Sequence, residues 1–151
     1  MHNIFRFIFA KTSVLARILA LDFGKVRTGV AVTDELQLIA SGLKTVQTSN
    51  LIAFLKDYIT TENVECIVIG EPRQMDGTPS ESEALIEPFL KKLKQLFPQL
   101  VLERQDERFT SKMAVQSMIS GGLNKKKRQN KALVDEISAT LILQSFLNKK
   151  H

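Results

Sequence analysis

Histidine is almost missing from this chain of 151 residues: only His2 and His151 occur, one near each end. That weighs against a zinc site and against catalysis built on an imidazole base. Cysteine is scarcer still, with Cys66 alone in the apolar run ECIVIG. No disulfide can form within the chain, and a reducing cytoplasm is the expected compartment. Cys66 itself reads as a small core residue. No apolar run approaches the length of a bilayer span, so no membrane partner is expected. What is present is ordinary for a folded domain, with 44% hydrophobic and 25% charged residues. Wholesale disorder is set aside, and the length fits one domain around one core.

The net charge of +5 permits a polyanionic partner, and its distribution says more. From Gly121 to Lys131 the chain reads GGLNKKKRQNK, five basic residues without an acid. Lys125, Lys126, Lys127 and Arg128 are therefore expected to hold nucleic-acid phosphates, against the plainer alternative of a solvated loop. The start, MHNIFRFIFAKTSV, carries Arg6, Lys11 and large apolar groups but no acid. Its charges break the apolar stretch that a signal peptide needs. Residues 1–15 are set apart as an extension, either poorly ordered or outside the native chain, and 16–149 are read as a single domain.

Two short β-rich runs, 17–22 (RILALD) and 29–34 (GVAVTD), precede a third at 37–46, which predicts an antiparallel meander. Leu51, Phe54, Leu55, Tyr58 and Ile59 recur at helical spacing behind a cap at Ser49 or Asn50. VECIVIG, 64–70, reads as a central strand covered on both faces. A helix is predicted over 81–97 with a stripe of Leu85, Phe89, Leu93 and Leu96, and Pro88 should delay or kink it. A strand at 100–107, a helix at 111–120 stopped by Gly121 and Gly122, and a last helix over 131–148 complete the order. The expectation is one α/β domain, a five-stranded mixed sheet with helices on both faces.

Acids stand where strands stop: Asp22, Glu71, and the pair Asp106–Glu107. Each alone is an ordinary surface feature. Parallel first, fourth and fifth strands would bring all three ends to one side, where like charges resist ionisation unless a cation neutralises them. Hard cations such as Mg²⁺ take oxygen ligands. Asp135 shares a helix face with Ala139, Ile142 and Phe146, so it either has a partner or lies in a wet first turn. Glu136 reads as its solvated neighbour. Carboxylates from several elements around divalent ions are the equipment of phosphodiester hydrolysis, which needs no histidine, cysteine or activated serine. Lys25, Arg27 and Arg108 are placed to hold phosphate oxygens beside such acids.

The stretches ALDFGKVRTGVAVTD, QMDGT, DERFTS and VDEISATLILQSFL resemble, in order, the motifs of the YqgF family, also called RuvX or RuvC-like Holliday junction resolvases. The resemblance runs from about Arg17 to Leu147. It implies a ribonuclease H-like fold and a metal-dependent endonuclease, using Mg²⁺ or Mn²⁺, that matures the 5′ end of pre-16S ribosomal RNA. The partner would be nucleic acid, either structured RNA or branched DNA, with monomer and homodimer both open. Carried over by motif, Asp22, Glu107 and Asp135 are the catalytic metal ligands, and Asp106 either ligates or supports. Arg27 and Arg108 match the basic residues of the first turn and of DER. Glu71 departs from the apolar residue expected there, so it is a fourth ligand, a substitute for Glu107, or a surface partner of Arg73. Gly24 should let the backbone turn beside Asp22, and Gly29 should open the next strand without crowding it. The competing reading is a non-catalytic nucleic-acid-binding factor in ribosome assembly or transcription.

Overall fold

The computed structural model describes residues 15–108 and 110–150. The expectations for the N-terminal extension, 1–14, lie outside these described residues. Five strands form one sheet: β1 (Arg17–Asp22), β2 (Arg27–Thr33), β3 (Ala40–Gln47), β4 (Val64–Glu71) and β5 (Val101–Asp106). Their order is β3-β2-β1-β4-β5. The first three pair antiparallel, while β1, β4 and β5 run parallel. This is the ribonuclease H-like arrangement that the motifs implied, with a mixed sheet between helices.

One face is covered by α1 (Leu51–Thr61) and α2 (Glu83–Leu96). Leu19, Leu21, Val30, Ile67 and Ile69 project to it and meet Leu51, Leu55, Ile86 and Leu93. The other face presents Ile18, Ala20, Ala31, Cys66 and Val68 to α5 (Lys131–Lys150), which contributes Ala139, Ile142, Leu143 and Leu147. Because successive strand residues alternate in direction, β1 and β4 read as continuous apolar runs with both faces buried. Burial pushes the Cys66 thiol up to about 12, which keeps it protonated as a core group. A further helix, α3 (Thr110–Ser120), packs on α5 and ends as expected, with the Gly121 N–H donating to the Ser117 carbonyl at 2.9 Å and Gly122 at φ +79°. No described helix is long and apolar enough to cross a membrane.

Three local expectations are corrected. The third strand starts at Ala40 rather than 37, because Asp34 organises the turn before it. Its carboxylate accepts the N–H groups of Leu36, Leu38 and Ile39, and Gln37 takes a positive φ of 59°. The buried stripe of α2 is Ile86 and Leu93 with Phe89 and Leu90, whereas Leu85 is 49% exposed. That helix begins at Glu83, and Pro88 lies inside it. The basic stretch is not an open loop: Lys125–Arg128 forms a one-turn helix, α4, whose N-cap Asn124 accepts the Lys127 N–H at 2.9 Å.

Candidate active site

The parallel strands deliver their carboxyl ends to one edge, and alternation then sorts the acids. Asp22 follows Ile18 and Ala20 onto the α5 face of β1. Its neighbour on β4 is Gly70, next in register after Leu21 opposite Ile69. Glu107 extends the β5 ladder by one residue, its N–H donating to the Glu71 carbonyl at 3.1 Å. The Glu107 side chain occupies the space that Gly70 leaves, since a Cβ on Gly70 would stand 2.6 Å from the Glu107 carboxylate. The two acids of the α5 face therefore meet over a glycine. Asp22 and Glu107 are hydrogen-bonded to each other.

Burial pushes Asp22 up to about 6, and the negative charge of Asp135 adds to the rise, while the bond from Glu107 offsets part of it. Burial also pushes Glu107 up to about 9, reinforced by the charge and hydrogen bond of Asp22, with Arg104 working the other way. Both carboxyls are thus raised, and the pair holds a proton at neutral pH whose O–H bridges Asp22 and Glu107. Two carboxyls held this close share one proton, because both cannot ionise together without a counter-charge.

Asp135 arrives from α5 and is not in its first turn. Its partner is Arg27, whose Nε donates to the carboxylate at 2.9 Å. The approach is set by backbone: a Cβ on Gly29 would fall on the Asp135 carbonyl oxygen, so only glycine lets α5 come this near to β2. Gly29 thus does more than open its strand. Glu136 is half-buried, not solvated, with its carboxylate lying over Gly42 of β3.

The remaining acids fall elsewhere. Glu71 points away from the Gly70 side and pairs with Arg73, which agrees with the surface-partner alternative. Asp106 pairs with Arg108 at 2.9 Å; burial works slightly against it, but the Arg108 backbone N–H and guanidinium hold its carboxyl below the usual range. Arg27 and Arg108, expected to hold phosphate oxygens beside the acids, are each paired with an acid, Asp135 and Asp106. Lys25, Lys125, Lys126 and Lys127 are exposed. The side chain of Arg128 lies outside the described set.

Sequence reading missed several supports. Arg104 holds Glu83 through both guanidinium nitrogens, at 2.5 and 3.0 Å, and donates to the carbonyls of Ile69 and Gly70 at 3.2 and 3.0 Å. It thereby fastens the end of β4 beneath the acids to the start of α2. Gln105 and Ser138 are buried with Oε1 and Oγ unpartnered. Ser138 had a legible signal, a hydroxyl three residues after Asp135 on an apolar helix stripe.

Among the described residues no three acids, cysteines or histidines stand together as a finished metal cage. The donor set nevertheless fits a hard divalent cation. It is all oxygen, it is half-buried, and it holds one proton where a cation would supply the missing positive charge. Arg27 supplies that charge to Asp135.

The family described as RuvX, Holliday junction resolvase, matches residues 16–149. A protein of Christiangramia forsetii named "Putative pre-16S rRNA nuclease" is 67% identical over 133 residues, covering 88% of this chain and 98% of that protein. Proteins of the same name from Flavobacterium psychrophilum and Bacteroides thetaiotaomicron are 60% and 55% identical over 136 residues, each covering 90% of this chain and 99% of the relative. With that match across nearly all of its described fold, the chain belongs to the RuvX family of Holliday junction resolvases.

Proposed function

We propose that this chain is a cytoplasmic, metal-dependent endonuclease that trims the 5′ end of pre-16S ribosomal RNA, with Asp22, Glu107 and Asp135 as its metal ligands and Mg²⁺ or Mn²⁺ as the ion. The observation that carries the reading is the Asp22–Glu107 pair, two half-buried carboxyls bound to each other at the strand ends with Asp135 near enough to raise Asp22. Nucleases of this fold generally use a divalent metal. When bound, such an ion supplies a nucleophile from water at neutral pH and stabilises the leaving oxygen. The chain's own residues do the rest. Arg27 orients Asp135, Gly70 and Gly29 leave room for the acids to converge, and Lys25 with Lys125, Lys126 and Lys127 offers cations to the phosphates. The names of the relatives favour ribosomal RNA over a DNA junction as substrate.

The test is cleavage of a labelled pre-16S leader RNA and of a four-way DNA junction, each with Mg²⁺, Mn²⁺ or chelator. Wild type should cut the RNA only with metal. Asp22→Asn should lose more than about 100-fold, beyond what a change outside the ligand set gives, while keeping its fold. Metal-dependent cutting retained by Asp22→Asn overturns the ligand assignment. Binding of RNA without cutting by wild type moves the protein to the assembly-factor reading.

A further inference from the structure

Among the described residues the acids leave two large surface features unused, of which one adjoins the edge strand β3. A groove of about 820 Å³ runs along the outer edge of the sheet between β3 and α1, lined by Lys44, Gln47, Asn50, Phe54, Lys56 and Asp57 among others. We propose that it binds a single-stranded RNA flank of the substrate, a few nucleotides from the cleavage site; this rests on the nuclease reading above.

Continuity is the first argument. Gln47, at the groove's upper end, is the register partner of Arg27, and Arg27 holds Asp135. Arg27 and Gln47 stand on the α5 face, whereas Val46 and Lys44, whose ammonium lies over Phe54, stand on the α1 face. An RNA strand leaving the acids therefore reaches the groove by passing over the free edge of β3. Lys44 is three residues further along β3, about 10 Å, which spans two or three stacked nucleotides. Thr48 ties the Lys25 loop to the same end, its N–H donating to the Val26 carbonyl at 2.9 Å and its hydroxyl to the Gly24 carbonyl at 2.6 Å. A strand leaving the acids would thus pass Lys25 before entering the groove.

Chemistry is the second. Lys44 and Lys56 are exposed and outnumber the single acid, Asp57. The Lys44 ammonium stands 5.7 Å from the centre of the Phe54 ring, which fixes a positive charge above the groove floor. Phe54 is stacked on Tyr58, with ring centroids 5.9 Å apart, so a base reaches the ring only when the Lys44 ammonium moves aside to a phosphate. Asn50 sits at the N-cap of α1 without capping it, and Gln47 is exposed. Their amides can donate to and accept from a 2′-hydroxyl, the group that separates RNA from DNA. The other large cavity, about 690 Å³ between β5 and the end of α5, is a poorer candidate. It opens where β4 and β5 begin, far from the acids, and Glu65 and Glu103 oppose its lysines.

The experiment uses the full chain carrying Asp22→Asn, so that ligand survives, and reads affinity by fluorescence anisotropy from 50 to 200 mM salt. The ligands are one RNA stem with six-nucleotide single-stranded flanks, the same stem blunt, and the same stem with DNA flanks. Adding Lys44→Gln and Lys56→Gln should weaken the RNA-flanked stem roughly threefold to tenfold and lower the slope of log K against log salt by about 1.4, two contacts' worth. The blunt stem should be unaffected, and DNA flanks should bind more weakly than RNA flanks. Equal loss on the blunt stem would mean a general field and overturn the groove. Unchanged affinity for the flanked stem also overturns it, and equal binding of DNA flanks overturns the choice of RNA. If the protein with its native Asp22 cuts the flanked RNA while the lysine variants bind it normally, only the groove assignment fails. If it neither binds nor cuts RNA, the nuclease reading itself fails.

Discussion

Toward α1 and α2 the strands present Leu19, Leu21, Val30, Ile67 and Ile69; toward α5 the same strands present Ala20, Ala31, Val68, Gly29 and Gly70. The first side is built from large side chains that meet Leu51, Leu55, Ile86 and Leu93, each worth about 1.5–3 kcal/mol when fully buried. The second carries Ile18 and Val68 but turns small toward the acids, at Ala20, Ala31, Gly29 and Gly70, so that a helix backbone can come close enough to hand Asp135 to a site already holding Asp22 and Glu107. It also buries two polar atoms without a hydrogen-bond partner, Gln105 Oε1 and Ser138 Oγ. One sheet thus has a side that stabilises and a side that gives up packing for proximity.

The comparison can be broken from the stabilising side first. Leu55 is fully buried there, and Leu55→Ala should cost about 2–5 kcal/mol in urea denaturation. The folded fraction should keep wild-type cleavage per molecule; a loss of specific activity would show that the two sides are not separable.

An intermediate effect should come from pH. In chelator, Asp22 and Glu107 bind protons more tightly in the folded chain than in the unfolded one, where they titrate near 3.8 and 4.5. Their contribution is complete below about pH 4 and is lost as pH rises through their folded values of about 6 and 9. The melting temperature of metal-free protein should therefore fall between pH 4 and pH 9, and Asp22→Asn should flatten that fall. An unchanged slope in Asp22→Asn would assign the trend to other groups.

The smallest change in stability, and the sharpest division between the sides, should come from Gly70→Ala. The new methyl would meet the Glu107 carboxylate at 2.6 Å and the tip of Ile142 at 2.9 Å, and the carboxylate can swing away. Stability should fall by about 1–3 kcal/mol at most, the range for an added methyl in a packed core. Cleavage should drop about 10–100-fold, the range seen when support for a metal ligand is disturbed. Calorimetry and a cleavage assay on the same preparation decide it, and equal activity would show that Glu107 need not sit over Gly70.

Much of this arrangement was legible in the residues. Element order followed from the apolar runs, and the helices on both faces followed from β1 and β4 being apolar throughout. That same uniformity hid the choice between Glu71 and Glu107. VECIVIG has no polar alternation to say which way its last residue points, so the side of Glu71 is fixed only by pairing with β1 and β5. The start of β3 was misjudged because Leu38 and Ile39 look like strand residues, although both are exposed in the turn that Asp34 holds. The pairing of Arg27 with Asp135 was not legible because the two lie 108 residues apart, and no local pattern records so distant a contact.

That separation has a consequence for synthesis. A chain made from its N-terminus carries Asp22 and Arg27 early, but Glu107 only after β5 and Asp135 only with the last helix. Parallel pairing and contacts of this span form late in folding. On the ribosome, then, the cutting centre proposed here cannot assemble until the helix that carries Asp135 has been made. An interrupted or truncated product would carry basic surface for nucleic acid and no means of cleaving it.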